Sequence, residues 1–86
     1  MYRLLFTKQA QKDAKKLSSS NLKNRTQEIL EILRVEPFRE HPPYEKLIGN
    51  LTGSFSRRLN IQHRIVYQVI EEDKIVKILR MWTYYE

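Results

Sequence analysis

An α+β fold, with two N-terminal helices on one face of a mainly antiparallel sheet of four to five strands, follows from three features of this 86-residue chain. Apolar residues recur at helical spacing in the first half. Short β-rich runs separated by turn residues fill the second half. Pro37 and the Pro42-Pro43 pair stand at the border between them. The implied order β-α-α-β-β-β-β gives the helices one face of the sheet. The other face must be partly polar, and a functional site would sit there.

Tyr2-Arg3-Leu4-Leu5-Phe6 reads as a strand by β-propensity. Thr7 is placed to cap the helix that follows, whose thin apolar stripe is Ala10, Ala14 and Leu17. Ser18-Ser19-Ser20-Asn21 interrupts that helix and offers caps for the next. Leu22, Thr26, Ile29 and Leu33 then recur at spacings of four, three and four, with Leu30 and Ile32 widening the stripe. Pro37 stops this helix at or before Glu36. Phe38 to Tyr44 reads as an extended loop. Glu45-Lys46-Leu47-Ile48 leads into the turn residues Gly49-Asn50, and Thr52-Gly53 marks another turn. Ser54–Asn60 and His63–Ile70 form an expected antiparallel pair around Ile61-Gln62. Glu71-Glu72-Asp73 is a turn, and Lys74–Thr83 the last strand. Along His63–Ile70, alternation puts Ile65, Tyr67 and Val69 on one face and Arg64 and Gln68 on the other.

Composition bounds the function. A single domain over residues 1–86 with one small core is expected at this length. The 41% hydrophobic and 30% charged content is that of a globular chain. Without cysteine there are no disulfides and no thiolate metal ligands, and a cytoplasmic setting is expected. The N-terminal apolar run is too short for a signal peptide or a membrane span. His41 and His63 lack partners at metal-ligand spacing, so neither metal nor cofactor is expected. A net charge of +6 favours a polyanionic partner. Lys8, Lys12, Lys15 and Lys16 share neighbouring helical turns, as a solvated face or a contact for nucleic-acid phosphates.

The residues between Glu45 and Tyr85 suit phosphodiester chemistry. A carboxylate such as Glu45 can take a proton, guanidiniums can hold a phosphate, and an aromatic hydroxyl can orient or protonate it. Arg57 and Arg58 must occupy opposite strand faces, so only one can join Arg64. A three-residue loop would put Arg58 level with Arg64, and a two-residue loop would favour Arg57. In an otherwise apolar strand, Arg64 is also suited to a cross-strand ion pair with Glu45.

Five motifs together resemble the YoeB/Txe branch of the RelE-like bacterial toxins. They are Glu45-x-Leu47, Asn50-Leu51-Thr52-Gly53, Ser56-Arg57-Arg58, His63-Arg64-Ile65-Val66-Tyr67 and Leu79-Arg80-Met81-Trp82-Thr83-Tyr84-Tyr85-Glu86. The resemblance covers almost the whole chain. It implies the toxin of a type II toxin–antitoxin pair, a ribosome-dependent mRNA endonuclease that cleaves in the A site by 2′-hydroxyl attack. It also implies a YefM-like antitoxin that wraps the toxin, with operator DNA met only through that complex and no membrane role. By the same resemblance Glu45 matches the general base, Arg64 the phosphate-stabilising arginine and Arg58 a further arginine of the site. Tyr85 matches the tyrosine beside the general acid. That acid is a histidine in the family pattern, and this chain has Tyr84 in its place. Where the family's best-known member carries a basic residue three positions after the glutamate, this chain has Ile48, and Lys46 is the nearby cation. A second reading is a RelE-fold module that binds antitoxin and RNA without cleaving. Tyr84→His separates the two, by a large gain from zero if the module is inactive and a modest change if it already cleaves.

Overall fold

The computed structural model describes residues 1–82. In chain order it contains β1 (Arg3–Phe6), α1 (Lys8–Ser18), α2 (Lys23–Val35) and β2 (Tyr44–Lys46). A 3₁₀ turn at Gly49–Leu51, β3 (Phe55–Arg58), β4 (Arg64–Ile70), a second 3₁₀ turn at Glu71–Asp73 and β5 (Ile75–Arg80) complete it. The five strands form one sheet in the order β1-β5-β4-β3-β2. Only the β1–β5 pairing is parallel. That pairing is possible because the two helices intervene between β1 and the hairpins. Among the described residues, no helix is long and apolar enough to cross a membrane.

Thr7 caps α1 as its sequence position implies, its Oγ1 accepting from the Ala10 amide at 3.1 Å. The same hydroxyl donates to the Leu79 carbonyl at 2.8 Å, tying the helix start to the end of β5. Ser20 closes the helical break by donating to the Leu17 carbonyl at 2.8 Å and accepting from the Leu22 amide at 3.1 Å. The serine run does not cap α2 itself, whose N-cap is Leu22 with no side-chain bond. The helix ends at Val35, before Pro37.

Ala10, Leu17, Ile29 and Leu33 from the helices meet Ile65, Tyr67, Val76, Ile78, Leu59 and Met81 in one core. Ala14, Leu22, Leu30, Ile32 and Val69 pack at its margin. One charged residue interrupts the expected stripe. Asp13 is buried, accepting from the Met81 amide at 3.0 Å and from Gln9 at 2.9 Å.

Every strand is shorter than the sequence expectation, and three differences bear on the site. Strand β2 starts at Tyr44 and ends at Lys46, because Gly49 at φ +72° turns the chain away and leaves Ile48 exposed. The β3–β4 connection is the three-residue loop Asn60-Ile61-Gln62, closed by the Leu59 amide on the His63 carbonyl at 2.8 Å. Asn60 stabilises it by accepting from the backbone amides of Gln62 and His63 at 2.9 and 2.7 Å. Strand β5 stops at Arg80, where Asp13 draws the Met81 amide out of the ladder and into the core.

Candidate active site

Strand register brings the site together. Glu45 on β2 lies opposite Ser56 on β3, and Arg58 on β3 lies opposite Arg64 on β4. Paired residues and those two apart share a face, so Glu45, Ser56, Arg58 and Arg64 all project from the side away from the helices. Arg64 Nη1 donates to Glu45 Oε1 at 3.1 Å and lies 3.4 Å from Ser56 Oγ. Arg58 Nε lies 3.7 Å from the same Oε1. The two arginines differ in freedom. The Arg64 side chain is 13% exposed, against 60% for Arg58 and 53% for Glu45. One guanidinium is thus fixed by its surroundings and the other lies in solvent, with the carboxylate between them.

The three-residue loop decides between Arg57 and Arg58, and it sets Arg58 level with Arg64. Arg57 turns inward and is 1% exposed. Its Nε donates to the Tyr67 hydroxyl at 3.1 Å, and its Nη2 to the carbonyls of Pro37 at 2.9 Å and Arg39 at 2.7 Å. Its Nη1 donates to the Pro42 carbonyl. The guanidinium also lies over the Tyr44 ring, 5.0 Å from its centroid. A cation that looked interchangeable with Arg58 therefore organises the whole 37–44 loop beneath the site. Burial pushes the Tyr67 hydroxyl pKa up, and the neighbouring Arg57 opposes that shift.

The remaining candidates distribute as follows. Lys46 pairs with Phe55 and shares the face of Tyr44, so register separates it from Glu45. Tyr84 and Tyr85 lie outside the described residues. The chain that leads to them is anchored beside the site, since the Arg64 amide donates to the Trp82 carbonyl at 3.1 Å. His63 Nδ1 lies 3.0 Å from the same carbonyl, so that nitrogen must carry the proton. The His63 ring stacks on Trp82 with centroids 3.9 Å apart, and Lys16 Nζ lies 5.7 Å from the Trp82 centroid. His63 is thus absorbed in fixing the last described residue. Met81 is buried in the core and Trp82 is part-buried. Sequence reading missed the anchor Asp13, and its only signal was an acidic residue one position before Ala14 on the apolar stripe. No group of three or more potential metal-ligating side chains occurs among the described residues.

A second charged cluster lies at the opposite end of β5. Tyr2 donates to Glu71 at 2.7 and 2.8 Å, and Lys74 donates to Glu71 at 3.1 Å. The Tyr2 hydrogen bond holds the Glu71 pKa below its ordinary value, and Glu71 in turn raises those of Tyr2 and Lys74.

Known proteins give this arrangement a context. A curated YoeB toxin from a Synechocystis strain is 33% identical over 66 residues, covering 77% of this chain and 70% of the relative. A YoeB–YefM complex from Staphylococcus aureus contains a chain 32% identical with a TM-score of 0.82, each chain covered to 99%. An archaeal RelE–RelB complex from Pyrococcus horikoshii contains one 31% identical with a TM-score of 0.76, covering 95% of this chain and 93% of its own. The model of the YoeB-like toxin of bacterial type II toxin-antitoxin systems matches residues 6–85. With two helices on a five-stranded sheet and the expected motifs along its length, the chain belongs to the YoeB-like toxin family.

Proposed function

We propose that this toxin is a ribosome-dependent endoribonuclease that cleaves mRNA in the A site by internal attack of a 2′-hydroxyl. The observation that carries the reading is one carboxylate oxygen held between a fixed and a mobile guanidinium on the open sheet face. Glu45 takes the 2′ proton, and the 2′ oxygen bonds to the adjacent phosphorus. The bond from phosphorus to the 5′ oxygen breaks, leaving a 2′,3′-cyclic phosphate and, after protonation, a free 5′-hydroxyl. Charge builds on the non-bridging oxygens in the transition state, where Arg64 is already in place and Arg58 swings to meet it. An entering phosphate competes for both guanidiniums and thereby releases Glu45 Oε1 to act as base.

Tyr84 is the assigned proton donor to the 5′ oxygen. It follows the anchored Trp82 by two positions, a reach of about 7 Å of extended chain. A phenol, with an ordinary pKa near 10, is a weaker proton source than an imidazolium near 6.5. Substrate orientation by the ribosome must then supply more of the rate. Tyr85 is assigned to stacking on a base, and Lys46, on the other side of the edge strand, to a more distant phosphate.

A YefM-like antitoxin is the proposed partner, its acidic or amphipathic segment covering the face with Arg58 and Arg64. Primer extension on a translated message, with and without the protein, tests the activity. New 5′ ends within codons, suppressed by co-purified antitoxin, are expected. Their absence at toxin levels that saturate ribosomes would reject the nuclease.

A further inference from the structure

Beside the carboxylate and its arginines lies a cleft of about 430 Å³ lined by Arg25, Pro42, Pro43, Glu45 and Arg58. Three separate parts of the chain build it: the first turn of α2, the 37–44 loop and the β2–β3 edge. Its volume is within the range of about 300–1,000 Å³ typical of small-ligand sites, enough for one nucleotide. The proline wall is held from beneath, because buried Arg57 binds the carbonyls of Pro37, Arg39 and Pro42. Arg25 completes the lining with its side chain 40% exposed, and Glu28 steadies it at 3.3 Å.

We infer that this cleft takes the single-stranded RNA nucleotide next to the scissile bond, with Arg25 holding its phosphate. The inference rests on the nuclease reading and adds a positioning residue to it. Arg58 and Glu45 line both the reaction centre and the cleft, so the two are contiguous around the edge strand β2. The pyrrolidine rings give an apolar wall for a ribose or base edge, and Arg25 adds a positive charge to the lining. Arg25 touches no reacting atom in this arrangement, so it acts on binding rather than on the chemical step.

The test is the affinity of the intact protein for an RNA trinucleotide made uncleavable by a 2′-deoxy substitution, followed by NMR titration at several salt concentrations. Arg25→Ala should weaken binding roughly tenfold, as loss of one charge-assisted contact does. The slope of log affinity against log salt should flatten by about 0.7, the value for one lost phosphate contact to a single strand. Arg25→Lys should restore most of both. On programmed ribosomes, Arg25→Ala should raise the half-saturating toxin concentration and leave the maximal cleavage rate unchanged. Equal affinity of Arg25→Ala and the native protein overturns the proposal. So does a loss with an unaltered salt slope, failure of the native protein to bind the trinucleotide, or weakening confined to an antitoxin peptide. Native protein that cleaves translated mRNA while any of these holds leaves the nuclease reading intact, whereas native protein that fails to cleave removes that reading instead.

Discussion

Arg57 and Arg58 are neighbours in sequence, yet one is 1% exposed and ties down a loop while the other stands in solvent beside Glu45. Replacing Arg57 by alanine strands the carbonyls of Pro37, Arg39 and Pro42 and should cost roughly 3 kcal/mol or more, since each buried acceptor left unpaired costs about 1–3 kcal/mol. Arg58→Ala should alter stability by less than about 1 kcal/mol, since exposed pairs contribute little, while slowing cleavage. Chemical denaturation of both variants decides it, and equal midpoints would refute the division of labour. For the proposed chemistry, Arg64→Ala should lower the single-turnover rate on programmed ribosomes by about a hundredfold or more. Glu45→Ala should cost about 10²–10⁴-fold. If both variants cleave at the native rate, the chemistry lies elsewhere and the family resemblance reports fold alone. Which arginine faces the site was only half legible in the sequence. Alternation shows that the two diverge, but loop length decides the outcome, and that depended on Asn60 bonding two backbone amides.

At the scale of elements, Leu33 and Asp13 make contrasting demands on the helices. Leu33 is fully buried, and Leu33→Ala should cost roughly 2–5 kcal/mol. Val69, which alternation places on the same core-facing side of β4, packs only at the core margin, so its truncation should cost clearly less. Melting both variants tests the ranking. Asp13→Ala removes the partner of the Met81 amide and should speed hydrogen exchange there by at least about tenfold. Unchanged protection would mean that packing, not Asp13, shields the Met81 amide. Helix α1 was readable from its cap and stripe, but its most connected residue was not, because a buried carboxylate is indistinguishable from a surface one until its partner is known. Strand β4 carries a pH dependence through Tyr67. Its folded pKa lies above its unfolded value, so the contribution is complete below the ordinary tyrosine pKa of about 10 and is lost as pH rises beyond it. Stability measured from pH 8 to 11 should therefore fall more steeply for the native protein than for Tyr67→Phe, and parallel curves would contradict this.

For the molecule as a whole, a net charge of +6 and the exposed lysines of α1 suit phosphate contact without sequence reading. Under the proposed mechanism, naked RNA should bind in a salt-sensitive way yet be cleaved slowly, because that mechanism leaves in-line placement of the attacking hydroxyl to the ribosome. Rapid cutting of naked RNA at many positions would show a self-sufficient nuclease instead. The two-layer architecture was legible because apolar period changes from helical to alternating at the proline-rich border. The parallel placement of β1 beside β5 was not, since no local pattern in Tyr2–Phe6 reveals a partner near the other end of the chain.

That placement has a temporal consequence. β1 pairs with β5, and Asp13 finds Met81 across 68 residues. Contacts of such long separation close late in folding, since the intervening loop must be ordered before they form. Until β5 forms, the N-terminal strand and both helices have no sheet to pack on, and the Arg64–Trp82 contact beside the site cannot close. Assembly of the site is therefore not a local event but part of closing the whole sheet.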